Sequence, residues 1–357
     1  MKILRKIITL ILVMLIIFTL TSTNQVNISA NSNINFKSRK IVNVAVIIHS
    51  LEHQYIIKLR ESLENIEKES KNNIKFTFFD AKDNIAIQNE ILDSALKSNF
   101  DLVILNSTDK KENFVEDVIN KVKQEDIPLI LMYIAPEIVL KVSKIYNKVA
   151  FVVPDSKKPG TAEGKILVDL WNSNKKAIDK NGDGILQYIL LQGVTDDPQT
   201  IDRTKYAIAK INDSGIKTQQ LELIHANWLE ELAKSSIDNL FLKYNDKIEA
   251  IISNNDEMAI GAIKALQKYG YNKGDKSKNI AVVGIDGVPE AKDLIDKGLM
   301  TGTVIQDSKV AAEMFYTIGM NLINNLNPTE NTNYEIVDGE IIIPYQYDIY
   351  TGKENNP

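Results

Sequence analysis

The chain has no cysteine among its 357 residues. That excludes disulfides, thiolate metal sites, cysteine nucleophiles and the acylated cysteine that tethers many exported lipoproteins. Positive charge is not in surplus either: 42 Lys and Arg stand against 47 Asp and Glu, a net charge of -5, which offers no basic surface to a nucleic acid. Signatures of catalysis are missing too. No Gly-x-Gly-x-x-Gly or Gly-Lys-Ser/Thr loop follows a strand, and there is neither a Gly-x-Ser-x-Gly elbow nor a His-Glu-x-x-His pair. The acidic and basic runs on the helices read as solvated faces, so an enzyme is not expected.

What remains is 44% hydrophobic and 25% charged, an ordinary soluble composition on a chain long enough for two domains. The amino terminus departs from it. Lys2, Arg5 and Lys6 precede an apolar run over residues 7–18, followed by a polar stretch with a small-residue cleavage site at Ile28-Ser-Ala30. This reads as a secretory signal, or as an uncleaved anchor over residues 1–30, although the run is shorter than the about 20 residues a spanning helix needs. Residues 31–40 read as a linker. The protein is therefore expected outside the cytoplasmic membrane, on its extracellular or periplasmic side, free or held by that helix.

From residue 41 onward, short apolar runs of strand length alternate with helical periods of ten or more residues, the mark of parallel sheets covered on both faces. Strands are expected at 42–48, 75–79, 102–105, 128–132 and 149–153. After Pro154-Asp155 the alternation restarts, with strands at 187–191, 218–223, 250–253 and 280–285, and a final strand-like stretch at 340–349. Two similar halves imply two doubly wound α/β lobes facing each other. The lobes are expected at 41–154 with 307–341, and at 155–306 with 342–357, joined by a hinge crossed three times near Asp155, Gln306 and Ile342.

Two groups of residues carry chemistry. In Asp179-Lys-Asn-Gly-Asp-Gly-Ile-Leu-Gln187, side-chain oxygens recur at the first, third, fifth and ninth places, with Gly184 at the sixth and the Ile185 carbonyl at the seventh. That is the spacing of an EF-hand calcium loop. Leu190 stands where the bidentate Glu would be, so the loop runs into a strand and its last carboxylate must come from another segment. The competing reading is a solvated Asx-Gly turn that binds nothing.

The second group lies at expected carboxyl ends of strands, where open parallel sheets bind ligands: His53, Tyr55, Asn106 and Tyr133 in the first half, then Asp197, Gln199, Arg203, Trp228, Asn255, Asp286 and Gln306 in the second. Aromatic faces among planar amides, carboxylates and a guanidinium suit a sugar, whose C–H patches stack on rings and whose hydroxyls donate and accept. With three histidines in the chain, His53 reads as a pocket or surface residue rather than a metal ligand.

Several phrases are specific in combination: the loop 179–187, Gly215-Ile-Lys-Thr218, Ile252-Ser-Asn-Asn-Asp256, Val283-Gly-Ile-Asp286 with Pro289-Glu290, and Gly302-Thr-Val304. On these the chain from about 42 to 348 resembles the galactose/glucose-binding family of type I periplasmic sugar-binding proteins, which serve methyl-galactoside import. The resemblance implies a monomer that closes around one monosaccharide and presents it to the permease of an ABC importer. It further implies a structural Ca2+ held by Asp179, Asn181, Asp183, the Ile185 carbonyl, Gln187 and, from before a later strand, Glu249. Arg203, Trp228, Asn255 and Asp286 match that family's sugar contacts. His53, Tyr55, Tyr133, Asp197, Gln199 and Gln306 replace others, which points to an altered sugar: a pentose, a substituted hexose or a glycoside. A sensor that shows its closed form to a membrane receptor or histidine kinase is the alternative partner arrangement.

Overall fold

The computed structural model describes residues 41–71 and 73–352. The expected signal or anchor and the linker lie outside them. Among the described residues no helix is long and apolar enough to cross a membrane.

The first sheet opens with β1 (Val42–Ile48), followed by α1 (Gln54–Glu69), β2 (Ile74–Asp80), α2 (Ile85–Leu96), β3 (Leu102–Asn106), α3 (Glu112–Gln124), β4 (Leu129–Met132), α4 (Pro136–Val142) and β5 (Val149–Pro154). The chain then builds a second sheet: α5 (Lys157–Ile178), β6 (Ile185–Gln192), α6 (Pro198–Asp213), β7 (Lys217–His225), α7 (Glu230–Tyr244), β8 (Ala250–Ser253), α8 (Asp256–Lys268), β9 (Ala281–Asp286), α9 (Pro289–Asp296) and β10 (Gly302–Ile305). It returns through α10 (Ser308–Ile323), β11 (Ile336–Val337) and β12 (Glu340–Ile343) and ends on β13 (Ile349–Tyr350). The strand orders are β11-β12-β5-β4-β3-β1-β2 and β13-β10-β9-β8-β6-β7. Pairing is parallel except for β11 with β12 and β13 with β10. These are the two α/β lobes.

The continuous apolar strands follow from burial on both faces. Val44, Val46 and Ile48 face a cluster that includes Leu59 and Leu63 of α1 and Phe315 of α10, while Ala45 and Ile47 face Val115, Val118 and Ile119 of α3. In the second lobe Leu186, Tyr188 and Leu190 pack toward Ile166 and Leu167 of α5. Ile189 and Leu191 pack toward Ile237 of α7 and Ile263 of α8.

Two expectations change. The stretch 340–349 is not one strand: β12 pairs with β5 in the first sheet and β13 with β10 in the second. Between them Pro344 has no N–H for a ladder and Tyr347 sits at φ 57°, so the chain leaves one sheet there and enters the other. The short helix α4, with Pro136 at its first turn, was not foreseen, because seven residues are too few for a helical period to show. The β11–β12 turn is Asp338-Gly339 with φ of 51° and 86°, the left-handed pair that a tight hairpin needs.

Candidate functional site

The carboxyl ends of both sheets line one cleft with about 580 Å3 of space including its mouth. All ten side chains expected at a sugar site border it: His53, Tyr55, Tyr133, Asp197, Gln199, Arg203, Trp228, Asn255, Asp286 and Gln306. Asn106 does as well. Four others do that the sequence did not single out for the pocket: His49, Ile56, Lys110 and Glu257.

The second-lobe wall is tied down residue by residue. Asp197 caps α6, accepting from the Gln199 N–H at 2.8 Å, and Pro198 fills the first helical position. Arg203, one turn on and 3% exposed, donates to the Asn254 carbonyl at 2.7 Å, to Gln199 Oε1 at 3.1 Å and to Gln306 Oε1 at 2.9 Å. Its guanidinium also lies 5.6 Å over the Trp228 ring and 3.8 Å from Asp286 Oδ1. Asn255 caps α8 through Met258 N and donates its amide to the Trp228 carbonyl at 3.1 Å, so one residue fixes both a helix and the tryptophan loop. Burial pushes the Asp286 carboxyl well above the usual carboxylate range, against the opposing pull of Arg203.

The first-lobe wall is looser. The Tyr55 and Tyr345 hydroxyls hydrogen-bond to each other, and burial raises Tyr55 to about 12. Lys110 reaches across to Asp197 Oδ2 at 2.6 Å and lies 5.6 Å over the Tyr133 ring. The Gln54 N–H donates to Glu257 Oε2 at 3.1 Å, again from one lobe to the other. The cleft is therefore closed.

Two features mark the cleft as built for a ligand. Tyr133, Trp228 and Asp286 hold φ values of 60°, 68° and 127°, strained for residues with bulky or branched side chains. Buried polar atoms there lack hydrogen-bond partners: His53 Nδ1, Asn106 Oδ1 and Arg203 Nε. Buried groups are otherwise almost always paired; Arg203 Nε–H lacks an acceptor and Asn106 Oδ1 lacks a donor, and a ligand hydroxyl can serve as either.

The loop of residues 179–187 sits at the opposite end of β6. Gly182 and Gly184 take φ of 73° and 77°. Asp179 Oδ2 accepts from the Gly184 N–H at 3.1 Å, Asn181 Oδ1 from Asp183 N at 2.9 Å, and Asp183 Oδ1 from Ile185 N at 2.8 Å. Gln187 Nε2 closes on Asp183 Oδ2 at 2.8 Å. Sheet register brings in the remote carboxylate: the Glu249 N–H donates to the Gln187 carbonyl at 3.0 Å just before β8 pairs with β6. Glu249, 1% exposed, accepts from Lys180 N at 2.7 Å and Gln187 N at 3.1 Å. The Asn181 N–H is directed at the same carboxylate, whose oxygens carry two lone pairs each and so keep acceptor capacity for a cation. Asp179 Oδ1 is buried without a partner. The donor set is all oxygen and fits a hard cation such as Ca2+.

A two-lobed α/β protein with a closed cleft at its strand ends is a ligand-trapping protein. A family model described as a periplasmic binding protein domain matches residues 44–327. The chain is 32% identical over 306 residues to the D-galactose/methyl-galactoside binding periplasmic protein MglB of Haemophilus influenzae, covering 85% of this chain and 88% of that one. It thus belongs to the periplasmic binding protein family. A xylitol-binding protein of Mycolicibacterium smegmatis is 22% identical, over 75% of this chain and 68% of its own length. Solved structures share the fold. An ABC transporter periplasmic solute binding protein of Actinobacillus succinogenes 130z with bound D-allose has a TM-score of 0.70 at 21% identity, covering 88% and 98% of the two chains. A solute binding protein of Bacillus halodurans C-125 with bound myo-inositol has a TM-score of 0.69 at 22% identity, covering 88% and 96%.

Proposed function

We propose that the protein works outside the cytoplasmic membrane, closes around a single monosaccharide and delivers it to the permease of an ABC importer. The observation that carries this reading is the pair of unpartnered buried atoms Asn106 Oδ1 and Arg203 Nε in a closed cleft bordered by the Trp228 ring. Arg203, Trp228, Asn255 and Asp286 hold one edge of the sugar. His53, Tyr55 and Tyr133 of the first lobe read the other, and with Asp197, Gln199 and Gln306 beside Arg203 they make six positions where the pocket departs from the resembled family. A site that hydrogen-bonds particular hydroxyls rejects sugars that leave its groups unpaired, so these six set specificity away from a plain galactose or glucose site. Contacts from both walls favour the closed form, which the permease then recognises. Asp179, Asn181, Asp183, Ile185, Gln187 and Glu249 hold a structural Ca2+ that fixes the 179–187 loop to β8.

The test is the melting-temperature shift in calcium against hexoses, pentoses and simple glycosides, since a ligand of the folded state must stabilise it. A shift with one sugar class names the ligand; no shift with any sugar refutes the reading. A sensor presenting its closed form to a membrane receptor or histidine kinase is the second reading, favoured by the apolar run at residues 7–18 acting as an anchor. Deleting the protein separates the two. Loss of uptake supports delivery, while intact uptake with lost induction supports sensing.

A further inference from the structure

We propose that the rim of the cleft binds a divalent transition-metal cation of the zinc class, held by His49, His53 and Asp83 of the first lobe and Glu257 of the second. His49 follows β1 directly, His53 immediately precedes α1, and Asp83 lies in the turn after β2, so three consecutive elements of the first lobe converge there. One donor atom from each of His49, His53 and Asp83 lies within 4.8 Å of the others. The two imidazole centroids are 5.3 Å apart, and His49 Nδ1 is 2.7 Å from Asp83 Oδ1.

His53 supplies the independent sign of a missing ligand. It is 7% exposed, caps nothing with its side chain, and its Nδ1 has no hydrogen-bond partner. Glu257 Oε2 stands 3.8 Å from that nitrogen, too far for a hydrogen bond and close enough to share a cation. From sequence His53 reads as a pocket or surface residue because the chain has three histidines and the nearest, His49, lies at the first strand; it is the fold that brings Asp83 and Glu257 beside it.

The chemistry of the set selects the ion. Two imidazoles with two carboxylates suit zinc or its neighbours, whereas calcium and magnesium prefer oxygen alone. Tetrahedral zinc with bonds of about 2.0–2.2 Å places its donors roughly 3.3–3.5 Å apart. The widest separation in the cluster, up to 4.8 Å, must close by as much as about 1.4 Å and the 2.7 Å His49–Asp83 pair must part slightly, for which the 61% exposed Asp83 side chain has room. Entry is from solvent past that residue. The second ring nitrogen of His53 stays available to the sugar.

Because Glu257 belongs to the opposite wall, the closed form offers the ion one more ligand than the three that the open form keeps, and so binds it more tightly. Zinc then favours closure, and by linkage zinc and sugar tighten each other by the same factor. The decisive experiment titrates purified, untagged, chelator-treated protein with zinc chloride by calorimetry, in excess calcium and without sugar, with small-angle scattering on the same samples. One zinc per chain is expected, with a smaller radius of gyration in zinc. His49→Gln and His53→Gln are each expected to weaken binding at least about tenfold. Glu257→Gln, which still accepts from Gln54 N, is expected to abolish the change in radius. Melting in chelator shows that the variants are folded, and Asp83→Asn replaces any that is not. Zinc binding that survives both histidine variants, or a radius that zinc leaves unchanged, overturns the proposal.

Discussion

Gly193→Ala tests the sugar platform with one added methyl. Gly193 follows β6, and a Cβ built there would lie 2.1 Å from both Cε2 and Cζ2 of Trp228 and 2.5 Å from its Cδ2. Its own φ is not in the left-handed region, so the backbone accepts alanine and the indole ring is the obstacle. Carbon atoms pack at about 3.5 Å or more, so the ring must withdraw by about 1.4 Å, the difference between 3.5 and 2.1. The Trp228 backbone cannot follow freely, since its carbonyl is held by Asn255 and its φ is 68°. The ring therefore turns into the cleft or away from the sugar. Losing an aligned aromatic platform and part of its contact area costs about 1.5–3 kcal/mol, roughly 10- to 100-fold in affinity. Folding stability should fall by only about 1 kcal/mol, the low end for overpacking, because the half-buried ring has open space on its cleft side. Calorimetry with the sugar that gives the largest melting shift measures the effect. In a Trp228→Ala background, which itself loses most of the affinity, the glycine change should add nothing. Affinity within twofold of the parent for Gly193→Ala, or full additivity of the two changes, would show that the ring does not bear on the sugar.

Three further outcomes follow from the same geometry. Glu249→Gln should remove the calcium-dependent rise in melting temperature while leaving sugar binding in place, and an equal rise in variant and parent across a calcium titration refutes the metal site. Lys110→Met deletes an ion pair that spans the closed cleft, with Asp197 only 8% exposed; sugar affinity should drop about 3- to 10-fold, chiefly through faster release, which stopped-flow dissociation reads. Glu340, buried beside Asp338 and Glu137, has its carboxyl raised from 4.5 to about 7. A raised carboxyl favours the fold below its ordinary range, and that contribution is lost as pH climbs through about 7. Glu340→Gln should therefore gain about 1–2 kcal/mol over the parent between pH 5 and pH 8, after allowance for solvent screening, and parallel pH–stability curves would contradict it.

The strands and the ten cleft residues were legible because both depend on local pattern: apolar runs buried on two faces, and polar or aromatic residues just past them. Lys110 and Glu257 were not. Lys110 lies in the charged run Asp109-Lys-Lys111, which looks like any solvated turn until Asp197 of the other lobe is seen beside it. Glu257 reads as an ordinary acidic residue in the first turn of a helix, where the dipole favours it. Both gain meaning only from the juxtaposition of lobes that no local spacing encodes. The break between β12 and β13 had a local signal in Pro344, but the apolar stretch around it reads as continuous, and only sheet partnership divides it.

The two walls of the cleft differ in how firmly they are held, and that difference sets how specificity can change. In the second lobe Asp197, Arg203 and Asn255 each make hydrogen bonds that also cap a helix or fix a loop. Replacing any of them disturbs the scaffold as well as the cleft. His53 caps nothing and has an unpaired nitrogen, the Asn106 side-chain oxygen is unpaired, and Tyr55 leans on Tyr345 from the segment that joins the two sheets. Side chains of the first wall can change without unmaking a helix. On the proposed reading, changes confined to the first wall alter which sugar is preferred and leave the helices of the second wall intact. Of the six departures from the resembled pocket, His53, Tyr55 and Tyr133 fall on the wall where change costs the fold least, while Asp197, Gln199 and Gln306 lie with Arg203 on the firmer one.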